Sequence, residues 1–253
     1  MSPWIQLRNL TPATPGAPNL FCLPHAGSGA AGFYRWRRAL GGLNVCPVQL
    51  PGRDARMTEP AATNASALVE MMHAALVEHL QVPYVIFGHS MGALLAALWA
   101  QKIQQQGLPA PLAVVLSGRG APGTVPVFPQ LSEMSDEELA GALDARFGGN
   151  SGTMLIADPE LRAHYMPLLR ADLALVDSAD AAKFTERLQV PVVVVRAASD
   201  PAVPEDKAEA WREFTARTFR VETLPGNHFS HFAESEGAML ELLQRVATTA
   251  ASS

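Results

Sequence analysis

Short apolar runs alternate with helix-like stretches along most of the chain. Six short runs predict strands, at residues 20–23, 43–50, 84–87, 112–116, 190–195 and 219–224, and those at 84–87, 112–116 and 190–195 predict buried strands. Stretches with helix-forming composition or helical spacing predict helices at residues 32–40, 66–80, 93–106 and 234–247. Strands that alternate with helices in this way predict an α/β protein, with a mostly parallel sheet covered by helices on both faces.

One long segment interrupts this alternation. From about residue 130 to 183 the chain has only helical patterns and no strand-like run. Ser135, with Glu138 three residues later, predicts a capped helix start, and Pro159 after Asp158 predicts another. About fifty residues is long for one connection between strands, so we expect an inserted helical lid within a single domain of residues 1–253. The alternative is a helical crossover that belongs to the sheet.

Composition excludes several classes of function. The net charge is −5 and no basic run is present, which argues against nucleic-acid binding. No apolar run is long enough to span a bilayer and no signal-peptide pattern opens the chain, so we expect no membrane association and a cytoplasmic protein. Cys22 and Cys46 both lie in apolar runs, which predicts buried free thiols, compatible with a reducing compartment.

The strongest chemical signal is a G-x-S-x-G motif. Residues 88–92 read Gly-His-Ser-Met-Gly, directly after the predicted strand 84–87 and before the predicted helix 93–106. In a nucleophile elbow the serine lies at a sharp turn between strand and helix, where small flanking residues let the backbone pass. The motif in this context predicts Ser90 as a catalytic nucleophile and the α/β-hydrolase fold.

A serine hydroxyl is a weak nucleophile at neutral pH and needs an adjacent base. In this fold the order along the chain is serine, acid, histidine. His228 follows the last predicted strand, at the edge of the sheet where the base is expected. His231 is the alternative.

The acid should orient this base and stabilise its charged form. Asp200 follows the predicted strand 190–195 by a few residues and stands between Ser90 and His228 in the chain. Its alternative role is that of a turn residue before Pro201. Three other candidate acids fall in the predicted lid: Asp172, Asp177 and Asp180.

The tetrahedral intermediate of acyl transfer needs two backbone N–H donors. Met91, the residue after the nucleophile, should supply one, and the loop at residues 24–29 after the first strand should supply the other. The glycines of this loop fit neither a P-loop nor a dinucleotide-binding pattern. No cluster of Cys and His has metal-ligand spacing, so we expect no cofactor and no metal.

Several segments together resemble the type II thioesterases, the stand-alone editing enzymes of nonribosomal peptide and polyketide assembly lines. The segments are residues 23–29 (LPHAGSG), 48–53 (VQLPGR), 87–93 (FGHSMGA), 158–161 (DPEL), 167–172 (PLLRAD) and 226–229 (GNHF). The resemblance extends from about residue 19 to 243. The elbow is general to the fold, whereas the Pro-Gly-Arg and Leu-Leu-Arg-Ala-Asp segments are much more specific.

The resemblance implies hydrolysis of acyl groups from the phosphopantetheine thiol of carrier proteins, which would be the partners of the enzyme. The sequence does not fix the oligomeric state, and we expect a monomer by default. It implies that Ser90 is acylated, that His228 is the base and Asp200 orients it, and that Ala26 and Met91 form the oxyanion hole. Residues 150–154 and 175–180 depart from the family pattern, which affects the shape of the lid and acyl selectivity.

Three other functions remain open at this point. The triad alone would equally suit a general carboxylesterase or lipase of the same fold. An acyltransferase would use the same residues with an acceptor other than water. The third alternative is a non-catalytic binding module that keeps the fold, against which the complete set of Ser90, Asp200 and His228 argues.

Overall fold

A computed structural model of the protein describes residues 3–5, 14–124, 134–148, 150–179 and 184–251. Six strands form one sheet in the order β2-β1-β3-β4-β5-β6, and every neighbouring pair is parallel. The strands are β1 (Asn19–Leu23), β2 (Asn44–Pro47), β3 (Tyr84–His89), β4 (Ala113–Ser117), β5 (Val192–Ala197) and β6 (Phe219–Leu224). All six predicted strands are therefore present, with ends shifted by no more than about three residues.

Helices connect the strands and cover both faces of the sheet. They are α1 (Trp36–Ala39), α2 (Ala65–Leu76), α3 (Met91–Gln105), α4 (Asp136–Phe147), α5 (Ser151–Ala157), α6 (Pro159–Asp177), α7 (Glu205–Glu209) and α8 (Glu236–Ala251). The helix predicted over residues 32–40 is instead a 3₁₀ turn, Ala30–Phe33, followed by the short α1. Aromatic packing overrides helix propensity in this segment, where the rings of Phe33 and Trp36 lie edge to face with their centroids 5.0 Å apart.

The alternation of side chains along each strand divides the core into two layers. In β1, Phe21 and Leu23 pack in the layer that contains α2 and α3, whereas Leu20 and Cys22 pack in the layer that contains α8. A continuous apolar run is needed for a strand that is covered on both faces. Both cysteines are buried free thiols, as expected. No helix in the described part of the chain is long and apolar enough to cross a membrane.

The helices α4, α5 and α6, which we call the lid helices, lie between β4 and β5 in the chain. Ser135 and Glu138 form the predicted capping box, and Asp158 caps α6 by accepting two backbone N–H groups. The lid helices share a small apolar cluster, Leu139, Leu143, Met166, Leu169 and Leu173, against which Ala26 packs. The two ends of the predicted lid, residues 130–133 and 180–183, lie outside the described residues.

Candidate active site

Ser90 lies at the sharp turn between β3 and α3. Its backbone has φ 54° and ψ −111°, and its N–H donates to the Ser117 carbonyl of the neighbouring strand at 2.8 Å. A Cβ atom at Gly88 would lie 2.0 Å from the Gly92 carbonyl oxygen, and one at Gly92 would lie 2.1 Å from the Leu23 carbonyl oxygen. Only glycine fits at either position, so the flanking residues of the motif permit the strained serine conformation.

His228 and Asp200 form a buried pair beside this turn. The Nδ1 atom of His228 lies 2.7 Å from Oδ2 of Asp200, and because a carboxylate only accepts, Nδ1–H is the donor. The second carboxylate oxygen accepts the Ala202 N–H at 2.9 Å. The strands β5 and β6 are neighbours, and the Ser199 N–H donates to the Gly226 carbonyl, so the two loops are held together.

The imidazole of His228 lines a chamber next to this turn. Its Nε2 atom is buried and has no hydrogen-bond partner among the residues that the structure describes. His228 and Ser90 line the same chamber, so Nε2 is the nitrogen available to the serine hydroxyl. Phe147 of α4 packs over the imidazole, with ring centroids 4.3 Å apart, and a lid helix therefore contacts the predicted base directly.

Ala26 and Met91 also line this chamber. Neither backbone N–H donates a hydrogen bond to any residue within the described ranges. Met91 is the first residue of α3, where amides lack an intrahelical acceptor and the helix dipole favours negative charge. The next amide in the loop, that of Gly27, is already bound by Asp172 Oδ2 at 2.8 Å. Ala26 and Met91 therefore keep backbone N–H groups free for their predicted role as oxyanion donors.

The chamber has a volume of about 330 Å³ and lies between the lid helices and the carboxyl end of the sheet. Much of its wall is apolar and comes from the lid: Leu143, Phe147, Leu155, Leu169, Leu173 and Val176. Nothing in the described part of the chain groups three or more His, Cys, Asp or Glu as a metal site. The predicted catalytic residues Ser90 and His228 line this chamber, and its apolar wall can take an apolar acyl chain.

A model of the thioesterase domain family matches residues 18–246 of the chain. The chain belongs to this family. The gramicidin S biosynthesis protein GrsT of Aneurinibacillus migulanus is 33% identical over 225 residues, covering 88% of this chain and 86% of that protein. The medium-chain S-acyl fatty acid synthase thioesterase of Rattus norvegicus is 30% identical over 214 residues, covering 83% and 80%.

The solved structure of the type II thioesterase BorB, from the borrelidin biosynthetic cluster, matches with a TM-score of 0.84 at 31% identity. The match covers 96% of this chain and 97% of that one. These findings confirm the α/β-hydrolase fold and the resemblance to type II thioesterases. The protein is a hydrolase that acts on thioesters.

In this thioesterase the alternative base, His231, has a different partner. Its Nδ1 atom lies 2.8 Å from Ser117 Oγ, which is 2.9 Å from His89 Nδ1. Burial and the nearby His228 lower the pKa of His231 to about 4, and burial lowers the pKa of His89 well below its usual value. Both rings are therefore neutral at pH 7 and support the strands behind the nucleophile.

The alternative acids divide between two environments. Asp172 is paired with Arg53 and has no hydrogen bond to a histidine among the described residues. Asp177 lines the chamber, and burial raises its pKa. Asp180 lies outside the described residues. Of the candidate acids that the structure describes, Asp200 is the one hydrogen-bonded to His228.

Two arginines in the chamber wall were not anticipated from the sequence. Arg119 follows β4, and Arg146 belongs to α4. Burial and, to a smaller extent, the charge of Arg146 lower the pKa of Arg119 to about 10, whereas Asp177 opposes the shift. The position of Arg119 just after a predicted strand was the available signal, because residues at the carboxyl ends of parallel strands face the site.

Proposed function

We propose that this thioesterase is a stand-alone editing enzyme of nonribosomal peptide or polyketide synthesis. It would hydrolyse stalled or aberrant acyl groups from the phosphopantetheine thiol of carrier proteins. The observation that carries the proposal is His228, which is hydrogen-bonded to the buried Asp200 and lines the same lid-covered chamber as Ser90. The names of GrsT, from gramicidin S biosynthesis, and of the type II thioesterase BorB support the pathway class.

In the first half of the proposed cycle, Ser90 Oγ attacks the thioester carbonyl while His228 Nε2 takes the hydroxyl proton. Asp200 stabilises the imidazolium through Nδ1–H, and the amides of Ala26 and Met91 bind the oxyanion. The tetrahedral intermediate collapses, the C–S bond breaks, and the pantetheine sulfur leaves. His228 returns the proton to the departing thiolate, so the first product is the free thiol.

In the second half, a water molecule attacks the ester carbonyl of the acyl-Ser90 intermediate. His228 accepts a proton from this water, and the same two amides bind the new oxyanion. When the C–O bond to the enzyme breaks, the proton passes from His228 to Ser90 Oγ. The acid is released and the enzyme is ready for another acyl group.

The proposed partners are acyl or peptidyl carrier proteins, and the proposed enzyme is a monomer in the cytoplasm that needs no cofactor. Such a carrier would present the acyl group on a flexible arm, and the lid helices form the wall against which the acyl chain packs. The 30% identity to a medium-chain fatty acid synthase thioesterase favours fatty acyl release as the second candidate function.

The decisive assay measures acid release from carrier proteins loaded with acetyl, propionyl, aminoacyl or octanoyl groups. Matched acyl-CoA and nitrophenyl esters serve as controls, and Ser90→Ala is the inactive control. We expect the carrier-bound thioesters to have the highest kcat/KM, with release dependent on Ser90. A strong preference for octanoyl would favour the fatty acyl candidate. Preference for nitrophenyl esters, or transfer of the acyl group to an added amine or alcohol, would contradict the proposal.

A further inference from the structure

A buried ion pair joins the lid to the loop that carries Ala26. Arg53 Nη2 lies 2.6 Å from Asp172 Oδ1, and Arg53 Nη1 lies 2.8 Å from Asp172 Oδ2. The two side chains are only 5% and 0% exposed. Asp172 belongs to α6, whereas Arg53 follows β2 in the Pro-Gly-Arg segment, so this bidentate contact links two distant parts of the chain.

Both partners also bind the backbone of residues 24–29, which we call the oxyanion loop. Asp172 Oδ2 accepts the Gly27 N–H at 2.8 Å, and Arg53 Nη1 donates to the Ser28 carbonyl at 3.0 Å. On the other side, His25 Nδ1 lies 3.0 Å from the Ala26 carbonyl and donates to it. The planar peptide between Ala26 and Gly27 is therefore held at its N–H and at its C=O.

The peptide group between Ala26 and Gly27 directly follows the Ala26 N–H, which is the proposed oxyanion donor. Once the plane between Ala26 and Gly27 is held, the Ala26 N–H can still move only through the two backbone dihedrals of Ala26. The Gly27 N–H, bound to Asp172, is at the same time withdrawn from the chamber. The contacts thus select which amide of the oxyanion loop serves the site, and they depend on the position of α6.

We infer that Asp172 and Arg53 are positioning residues, which hold the oxyanion donor of Ala26 in place only while the lid helix α6 is seated on the oxyanion loop. The inference rests on the proposed acyl-transfer chemistry of Ser90. It gives the lid a role in catalysis besides enclosing the acyl chain. A neutral pair of similar volume would fill the same space, but it would leave the Gly27 N–H and the Ser28 carbonyl without these partners.

The lid offers a matched control for the same substitution. Asp136 in α4 also pairs with two arginines, Arg162 and Arg170, but both belong to α6 and none of these contacts involves the oxyanion loop. Asp136→Asn therefore weakens a lid ion pair without reaching Ala26. The test variants are Asp172→Asn and the double variant Arg53→Met with Asp172→Leu, which removes both charges together and leaves no buried charge unpaired.

Steady-state kinetics with an acyl-pantetheine thioester should separate positioning from folding. We expect kcat to fall by about 10²-fold in both test variants, the size of losing one oxyanion donor, with KM little changed. Asp136→Asn should retain kcat within about threefold. Thermal unfolding shows whether each variant is folded at the assay temperature, and the double variant serves if Asp172→Asn is not.

Ligand affinities distinguish positioning of the oxyanion donor from a general structural role of the ion pair. A trifluoromethyl ketone analogue forms a tetrahedral adduct whose oxygen occupies the oxyanion hole, whereas the matching acyl-pantetheine amide keeps its carbonyl planar. We expect affinity for the ketone to fall in parallel with kcat/KM and affinity for the amide to stay unchanged. Equal losses for both ligands, an unchanged kcat in the folded double variant, or an equal effect of Asp136→Asn would overturn the inference.

These outcomes are independent of the carrier-protein assay. If the wild-type enzyme does not release acyl groups from carriers, the proposed function fails, but the positioning test can still be run on any ester that Ser90 hydrolyses. If carriers are substrates and the variants behave like the control, only the positioning inference fails.

Discussion

The two halves of the active site are held by different means. At the carboxyl end of the sheet, Ser90 lies in a turn fixed by close backbone contacts, and Asp200 and His228 follow adjacent strands. The lid helices share a small apolar cluster and contact the loops that follow the strands through side chains such as Asp172 and Phe147. The predicted reacting groups therefore depend on the backbone of the fold, whereas the chamber around them depends on side-chain contacts that single substitutions can change.

Among the substitutions at the carboxyl end of the sheet, Asp200→Asn should reduce turnover the most. The amide cannot stabilise the imidazolium and favours the wrong tautomer of His228, so kcat should fall by about 10⁴-fold. Asp206→Asn, at an exposed site in α7, is the matched control and should retain wild-type turnover. Thioester hydrolysis measures both variants. Activity of Asp200→Asn within tenfold of wild type would point to another acid, with Asp177 in the chamber wall as the next to test.

Gly88→Ala tests how strictly the backbone fixes the nucleophile. The added Cβ would lie 2.0 Å from the Gly92 carbonyl oxygen, so the elbow must shift. We expect the free energy of unfolding to fall by about 3 kcal/mol, measured by urea denaturation. Gly41→Ala is the control, because a Cβ atom at that position would have no heavy atom within 4 Å beyond its chain neighbours. Equal midpoints for the two variants would contradict the close packing of the elbow.

Low pH should lower the free energy of unfolding, because the half of the active site at the carboxyl end of the sheet contains buried histidines. The folded pKa of His231 is about 4, below the unfolded value of about 6.5, so the unfolded chain binds more protons between these values. The stability contributed by neutral His231 is therefore complete above about pH 6.5 and is lost as the pH falls towards 4. We expect the free energy of unfolding to decrease steadily across this window.

His231→Asn can keep a polar partner for Ser117 but does not titrate. It should reduce the slope of the free energy of unfolding against pH by up to about 1.4 kcal/mol per pH unit between pH 4 and 6.5. Urea denaturation across a pH series measures this slope. His164→Asn, at an exposed position of α6, is the control. An unchanged slope in His231→Asn would mean that His231 does not contribute to the acid sensitivity.

Phe147→Ala should give the smallest effect and is the lid counterpart of these tests. Its ring packs over His228, and losing such a ring contact should reduce kcat/KM about three- to tenfold, with little change in the unfolding midpoint. Met154→Ala, at an exposed site in α5, is the control in the same lid. A large drop in the unfolding midpoint of Phe147→Ala would show that the lid and the sheet are not separable in this way.

The candidate catalytic residues at the carboxyl end of the sheet could be predicted from the sequence, because the motifs that mark them are local. The glycines around Ser90 mark the elbow, and parallel strands bring their carboxyl ends, with Asp200 and His228, to one edge. The pairing of Nδ1 with Asp200 rather than Asp172 needed the structure, because both carboxylates lie between serine and histidine in the chain.

The lid contacts could not be predicted, because they join residues far apart in sequence. Arg53 and Asp172 are 119 positions apart, and no periodicity relates them. Segment similarity marked both as characteristic of the family, but gave no contact between them. The helix predicted over residues 32–40 was wrong for a related reason, since tertiary packing of Trp36 and Phe33 decides that segment rather than helix propensity.

In the proposed mechanism, Ser90 carries the acyl group during hydrolysis of a carrier-bound thioester. The most direct measurement mixes an acyl-loaded carrier protein with the enzyme, quenches in acid within the first turnover, and locates the acyl group by peptide mass spectrometry. We expect the acyl group on the peptide that contains Ser90, and neither this adduct nor acid release in Ser90→Ala. An adduct on another residue, or wild-type release by Ser90→Ala, would contradict it.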